Sequence, residues 1–336
     1  MSSLFQQILV CLVLLNPIKQ DGRPAWLDNP EKQYPNSDYI TAVGSGDTRK
    51  DAENSAAANL SKIFEARIKS VETINARYVE LMKSPNQSSL ESETNINKNT
   101  SVSSEQTLYN IRYAESYTDQ EGRVYVLAVI ERQPTAEIYG EKYEQNDSRI
   151  AHYVEQSTRT GDPVMKYAYL NAAFVFSNVN QTLSQQLLII DPGRTISPKS
   201  GYTLDSVAEL SSAARESLPF SIAMTGEEHE KVTDMVRGTL STLGFEISDK
   251  GVLNVQGTSD IRKIDMNSDQ KFVRWSYSIA ILDSHQNVVI SLSENGREGH
   301  LNYEEAAARA LRTMKEKIDV NMTKQLNHYF DSLVMK

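Results

Sequence analysis

Apolar and polar positions along the chain change period several times, and each change marks an element. Tyr39–Val43 is a short apolar run ending in Gly44-Ser45-Gly46. After it, Ala52, Ala56, Leu60, Ile63, Arg67, Val71 and Ile74 recur near every 3.6 positions. This predicts a strand, a tight turn and one long helix reaching Met82. Asp47 or Thr48 is placed to cap the helix start, and the alanines near that start let the helix lie close to a sheet. Pro85–Thr107 is polar and aperiodic, and reads as a mobile loop or solvated extended segment. Leu108–Asp119 and Arg123–Glu131 alternate as strands, with the Asp119–Gly122 stretch between them forming a hairpin turn. A helix follows near Thr135–Gln156.

Asp162 and Pro163 open a second region as helix cap and first-turn proline. Val164–Val179 and Thr182–Ile190 read as a helical hairpin, and a further helix lies near Leu204–Leu218. The third region begins with a strand at Pro219–Gly226 and an amphipathic helix that Gly244 ends. Strands are predicted at Phe245–Ser248, Gly251–Ile261, Lys271–Asp283 and from Val288, with Glu294–His300 as a charged, solvated turn. A helix starts at Asn302 and turns Ala306, Ala307, Ala310 and Leu311 toward a sheet. The pattern predicts an α+β fold. Its parts are an export signal over 1–22, a small helix-on-antiparallel-sheet domain over 23–157, a helical connector over 158–218 and a second α+β domain over 219–336. The first and last regions share an order of strand, helix, antiparallel strands and helix.

Composition narrows the function. The 336 residues carry a formal net charge of -9, and no Lys/Arg run marks a basic patch, which argues against a general nucleic-acid binder. The single cysteine, Cys11, rules out an intrachain disulfide and a cysteine-based zinc site. Ile8–Leu15 is apolar, too short to span a bilayer and of the length of a signal-peptide core. Met1–Gln7 lacks the basic residues of such a signal, so its expected start lies upstream of Met1. The alternative is a buried N-terminal helix or strand. Cys11 is a candidate lipid-attachment site in weak context, because Val10 stands where a small residue is wanted. The other reading is a passive cysteine inside the leader.

The search for chemistry returns little. Gly44–Lys50 lacks the Gly-Lys pair of a phosphate loop, Arg49 stands where a dinucleotide fingerprint needs glycine, and Asp47 would repel an anion. The glycine turn is therefore expected to dock a helix on a sheet. His152, His229, His285, His300 and His328 are scattered without ligand spacing. No nucleophile motif is present. No catalytic residue, metal or cofactor is expected. Of the 16 tyrosines, Tyr113, Tyr117 and Tyr125 read as cross-strand packing partners or as a binding surface.

Pro24-Ala25-Trp26, the run Tyr39–Gly46, the Ala-rich helix from Ala52, and Tyr117, Asp119, Gly122, Tyr125, Leu127 and Ala128 in order resemble the bacterial LPP-twenty lipoprotein domain. A similar domain stands near the N-terminus of flagellar assembly protein T. The resemblance spans about residues 24–145. It implies an exported protein of the periplasm or outer membrane, anchored through a lipidated cysteine, without catalysis or cofactor.

The leading expectation is a non-catalytic envelope scaffold or assembly factor that contacts other envelope proteins through the exposed side of the N-terminal hairpin and the segment 85–107. The second is a periplasmic ligand-binding module for a glycan or small molecule, with Trp275 and Tyr277 lining an aromatic pocket. The third is a hydrolase built on two close carboxylates.

Overall fold

The computed structural model describes residues 22–65, 72–83, 108–266 and 269–335. The first strand, β1 (Tyr39–Gly46), runs into α1 (Arg49–Glu65). Thr48 Oγ1 accepts from the Asp51 amide and donates to the Asp51 carboxylate, which satisfies an orphan N–H at the helix start. The glycines set the approach. A methyl group on Gly44 would lie 2.0 Å from the Ala56 nitrogen, and one on Gly46 would lie 2.7 Å from the Ala52 nitrogen. Backbone packs on backbone here, and Ala52 and Ala56 are fully buried. The tight strand-to-helix docking expected from the sequence is what the chain forms.

Of the expected single helix over 49–82, the described residues form α1 and α2 (Glu72–Met82), and residues 66–71 lie outside the described part. The polar segment 85–107 also lies outside it. The hairpin is as expected: β2 (Arg112–Thr118) and β3 (Val124–Glu131) meet at a turn where the Asp119 carboxylate accepts from the Glu121 and Arg123 amides. Gly122 supplies the positive φ of 86° that this turn requires. The sheet order is β1-β3-β2, antiparallel throughout. The central strand β3 is apolar on both faces because both are covered.

Next come α3 (Arg132–Arg159) and α4 (Pro163–Ile190), which pack side by side. The second of these corrects the expected helical hairpin: 163–190 is one continuous helix. Its polar midsection does not break it, since the Asn178 side chain donates to the Phe174 carbonyl and Thr182 to the Asn178 carbonyl. These back-bonds satisfy the two polar side chains on the helix's own carbonyls. Asn180 donates to the Tyr143 carbonyl of α3. At the helix start Asp162 accepts from the Val164 amide and Pro163 takes the first turn, as the sequence predicts. The next helix is α5 (Leu204–Glu216), capped by Thr203.

The C-terminal sheet joins β4 (Phe220–Gly226), β5 (Leu253–Ile264), β6 (Lys271–Leu282) and β7 (Val288–His300) in that order. Parallel β4 and β5 are connected by α6 (His229–Thr242); the other pairs are antiparallel. Gly244, at φ 84°, ends α6, and the Phe245 amide reaches back to the Leu240 carbonyl. Two sequence readings are corrected here. Phe245–Ser248 makes only an isolated bridge from Ile247 to Phe220, not a strand. Glu294–His300 is the second half of β7, not a turn. Its glycines serve the neighbouring strand: Gly296 lies under the Trp275 ring and Gly299 under Phe272, where side chains would collide. The last helix, α7 (Tyr303–Val334), is capped by Asn302 and buries Ala306 and Ala310 against the sheet.

One main hydrophobic core runs through all three expected regions, from Ile40 to Phe330. Within it Arg77 of α2 donates twice to Asp331 of α7, at 2.8 and 2.6 Å. The Asp331 side chain is 1% exposed and that of Arg77 11%.

Two expectations follow for stability, both read by chemical denaturation. Gly44→Ala should cost about 3 kcal/mol, because the clash is with backbone and cannot relax. Asp331→Asn should cost about 3 kcal/mol or more by stranding a buried guanidinium, whereas Arg77→Met with Asp331→Leu should regain most of that loss.

Candidate functional site

The described residues hold one face on which aromatic side chains gather at the surface. It is the side of the N-terminal sheet opposite α1. A bulge in β2 between Tyr113 and Glu115 creates it. Before the bulge Tyr113 pairs with Ala128 and packs into the main core; after it Glu115 and Tyr117 pair with Leu127 and Tyr125. The extra residue thus sends Glu115 and Tyr117 to the outer face. Of the three tyrosines singled out in the sequence, Tyr117 and Tyr125 are cross-strand partners with ring centroids 6.3 Å apart, and Tyr113 stands on the other face.

Trp26 covers the middle of this outer face. Short 3-10 turns at Ala25–Leu27 and Pro30–Lys32 carry the chain across the sheet, and Trp26, 5% exposed, packs with Leu127 and Val129. Leu27, Tyr34, Tyr39, Val43, Tyr117 and Tyr125 ring it, each half-buried. Tyr34 and Tyr39 meet edge to face at 5.2 Å. The Tyr34 hydroxyl donates to Glu115 at 2.9 Å and Gln33 donates to the same oxygen. Burial, and then the neighbouring Glu115 carboxylate, push the Tyr34 phenol above its ordinary range. The sequence does not reveal Trp26, Tyr34, Tyr39 and Glu115 as one set. The only signals are Pro24-Ala25-Trp26 itself and the odd-numbered tyrosines of β2, whose phase depends on the bulge.

A cleft of about 450 Å³ adjoins this face, lined by Ser37, Asp38, Tyr39, Arg132 and Asp191 among others. Arg132 is its structural bolt. The guanidinium donates to the Asn36, Ile189 and Ile190 carbonyls at 2.7–2.8 Å, tying the approach to β1 to the last turn of α4. Desolvation lowers its pKa, and Asp191 opposes that shift. The wall carboxylates Glu131 and Glu137 are ion-paired with Arg112 and Arg194. The cleft reads as a packed joint between helices.

Residues 24–131 match the family model described as LPP20 lipoprotein. That stretch resembles the LPP20 lipoprotein family. The match takes in the α1-docked sheet, the Trp26 cover and the tyrosine face. No curated protein matches the chain. Among solved structures it is similar to a minor lipoprotein from Acinetobacter baumannii, at 13% identity over 34% of this chain and 90% of that one, with a TM-score of 0.26. It is also similar to a secreted protein from Helicobacter pylori, at 12% identity over 87% and 97% of the two chains, with a TM-score of 0.41. Lipoprotein GNA1162 from Neisseria meningitidis gives 11%, 30%, 96% and 0.22 for the same quantities.

The other sequence candidates are placed as follows. Cys11 lies outside the described residues. No group of three or more His, Cys, Asp or Glu side chains fit to hold a metal occurs among the described residues. His229 touches the Gly226 carbonyl and His328 bonds Glu80. Burial of Trp275 and Tyr277 removes the best support for the expected aromatic pocket. They are 3% and 2% exposed and stacked at 6.3 Å under α7. Their odd-numbered phase on β6 points them inward with Val273 and Ile279.

Buried tyrosines also set an alkaline limit. Burial raises the phenols of Tyr109 and Tyr139 well above the ordinary value, and that of Tyr167 above it. The folded state therefore holds these protons where the unfolded chain, with tyrosine near about pH 10, releases them. Stability is complete below that pH and falls as pH rises beyond it. Ultraviolet titration should show an exposed class of tyrosines ionising reversibly and a buried class ionising only as the protein unfolds.

Proposed function

We propose that the chain is a non-catalytic envelope lipoprotein that works as a scaffold or assembly factor through protein contacts, and that the tyrosine face of its LPP20 domain is the contact surface. The supporting observation is the ring of half-buried Tyr34, Tyr39, Tyr117 and Tyr125 around Trp26. Tyrosine offers large contact area at small entropic cost, with a hydroxyl to satisfy at the rim, and it is enriched at protein interfaces. The face is rigid, because β3 beneath it is fixed from the other side by α1. A rigid aromatic patch loses little freedom on binding. An anchor on Cys11 would hold this domain at a membrane, in the periplasm or on the outer membrane's inner side.

The experiment is affinity recovery of the full-length protein from gently crosslinked cells, with mass spectrometry of its companions and of its own N-terminus. The wild type should bring down a stoichiometric envelope protein, and Tyr117→Ala with Tyr125→Ala should reduce recovery at least tenfold while leaving the thermal midpoint within a few degrees. An intact Met1 together with no companion would overturn the reading. A modified Cys11 at the processed terminus would establish the lipid anchor, and a terminus beyond it would remove that anchor.

A further inference from the structure

The outer face of the C-terminal sheet assembles a charge pattern that the linear sequence scatters. On β6 the inward residues Val273, Trp275, Tyr277 and Ile279 are buried, while Arg274 and Ser278 face out. Carried across the strands by register, the outer face is a set of cross-strand rungs. One is Thr225, Thr258, Ser278 and Ser293; the next is Asp260, Ser276 and Asn295; the third is Arg262, Arg274 and Arg297. Three arginines, all exposed, stand directly opposite one another on adjacent strands. Opposed like charges on neighbouring strands destabilise a sheet. Asp260 answers Arg262 at 2.9 Å, whereas Arg274 has only arginines opposite it on both sides.

The same end of the sheet is apolar beyond the arginines. The following rung is Ile264, Phe272 and Gly299, and Arg297 lies over the Phe272 ring at 5.4 Å. Past it stand Met266, 42% exposed, and Leu301, 77% exposed. On the helix side Lys263 and Lys271 sit over the Tyr303 ring at 5.2 and 5.9 Å. Asp265, Asp269 and Glu304 are also at this end, on the hairpin and the helix start, so its total charge is mixed. The outer face proper sets three guanidinium groups against the single carboxylate of Asp260.

We propose that this end of the outer face rests on an anionic lipid surface, with the arginine rung on headgroup phosphates and Leu301 and Met266 in the interfacial layer. Guanidinium forks bind phosphate oxygens in pairs, and an anion between the three would cancel their mutual repulsion. Basic side chains with exposed apolar neighbours are the composition that holds a protein at a lipid interface. The contact lies on a different sheet from the tyrosine face and does not depend on the protein-contact reading.

The test is co-sedimentation of the full-length protein with vesicles of phosphatidylcholine alone or mixed with phosphatidylglycerol. The wild type should bind the mixed vesicles more tightly and lose that advantage in high salt. Arg262→Gln, Arg274→Gln and Arg297→Gln together should weaken binding to the mixed vesicles about 100-fold, and the three Lys replacements should stay within about tenfold of wild type. The apolar leader is common to all variants and its partitioning does not depend on these arginines. The Gln variant should melt no lower than wild type, since it removes like-charge pairs. Equal wild-type binding to both vesicles, or a folded Gln variant that binds the mixed vesicles like wild type, would overturn the proposal.

Discussion

Everything in this protein is arranged around the burial of α4. More than half of its 28 residues are inaccessible, and they face every direction rather than one stripe. A helix apolar all round needs neighbours on all sides. Here α3 lies along it, α5 and α7 pack on it, and α2 closes a further side. The aromatic contacts show how the two ends of the chain meet there: Tyr78 of α2 touches Phe176 at 5.2 Å, and Tyr167 touches Phe330 of α7 at 4.7 Å and Phe245 at 5.4 Å. The Arg77–Asp331 pair sits beside this cluster and joins α2 to α7 directly. Such a pair adds little net energy, since desolvation offsets its attraction, but loss of one partner leaves a buried charge uncompensated.

The two sheets show how similar strings of elements give different topologies. Both units read strand, helix, antiparallel strands, helix. In the first, the opening strand pairs antiparallel with the last, β3. In the second, it pairs parallel with the next in sequence, β5, and the sheet grows away from it. The parallel pair needs the α6 crossover, while the first unit closes through hydrogen bonds from β1 to β3. The shared order is therefore not a topological repeat.

Local chemistry was legible where a residue type has few alternatives. Gly44 and Gly46 predicted close docking, Asp119–Gly122 a hairpin, Asp162-Pro163 and Asn302 helix starts, and each is where the structure has it. Readings failed where a tertiary partner decides. Asn178 and Asn180 look like turn residues, but their side chains bond along α4 and to α3. The glycines of Glu294–His300 look like a loop until the rings of Trp275 and Phe272 are laid over them. The site was less legible than the fold. The tyrosine face depends on a one-residue bulge, and the arginine rung depends on the register of three strands, and neither leaves a mark in linear spacing.

The position of Trp26 also has a mechanical side. Among the described residues, Trp26 is the first seated in a core. Tension arriving from the N-terminal side meets the Trp26 contact with Leu127 and Val129 before it reaches the β1–β3 hydrogen bonds. Side-chain contacts peel one at a time, whereas a hydrogen-bonded ladder loaded along its strands must yield together. The Trp26 cover thus stands in series with the sheet, among the tyrosines that ring it rather than over them.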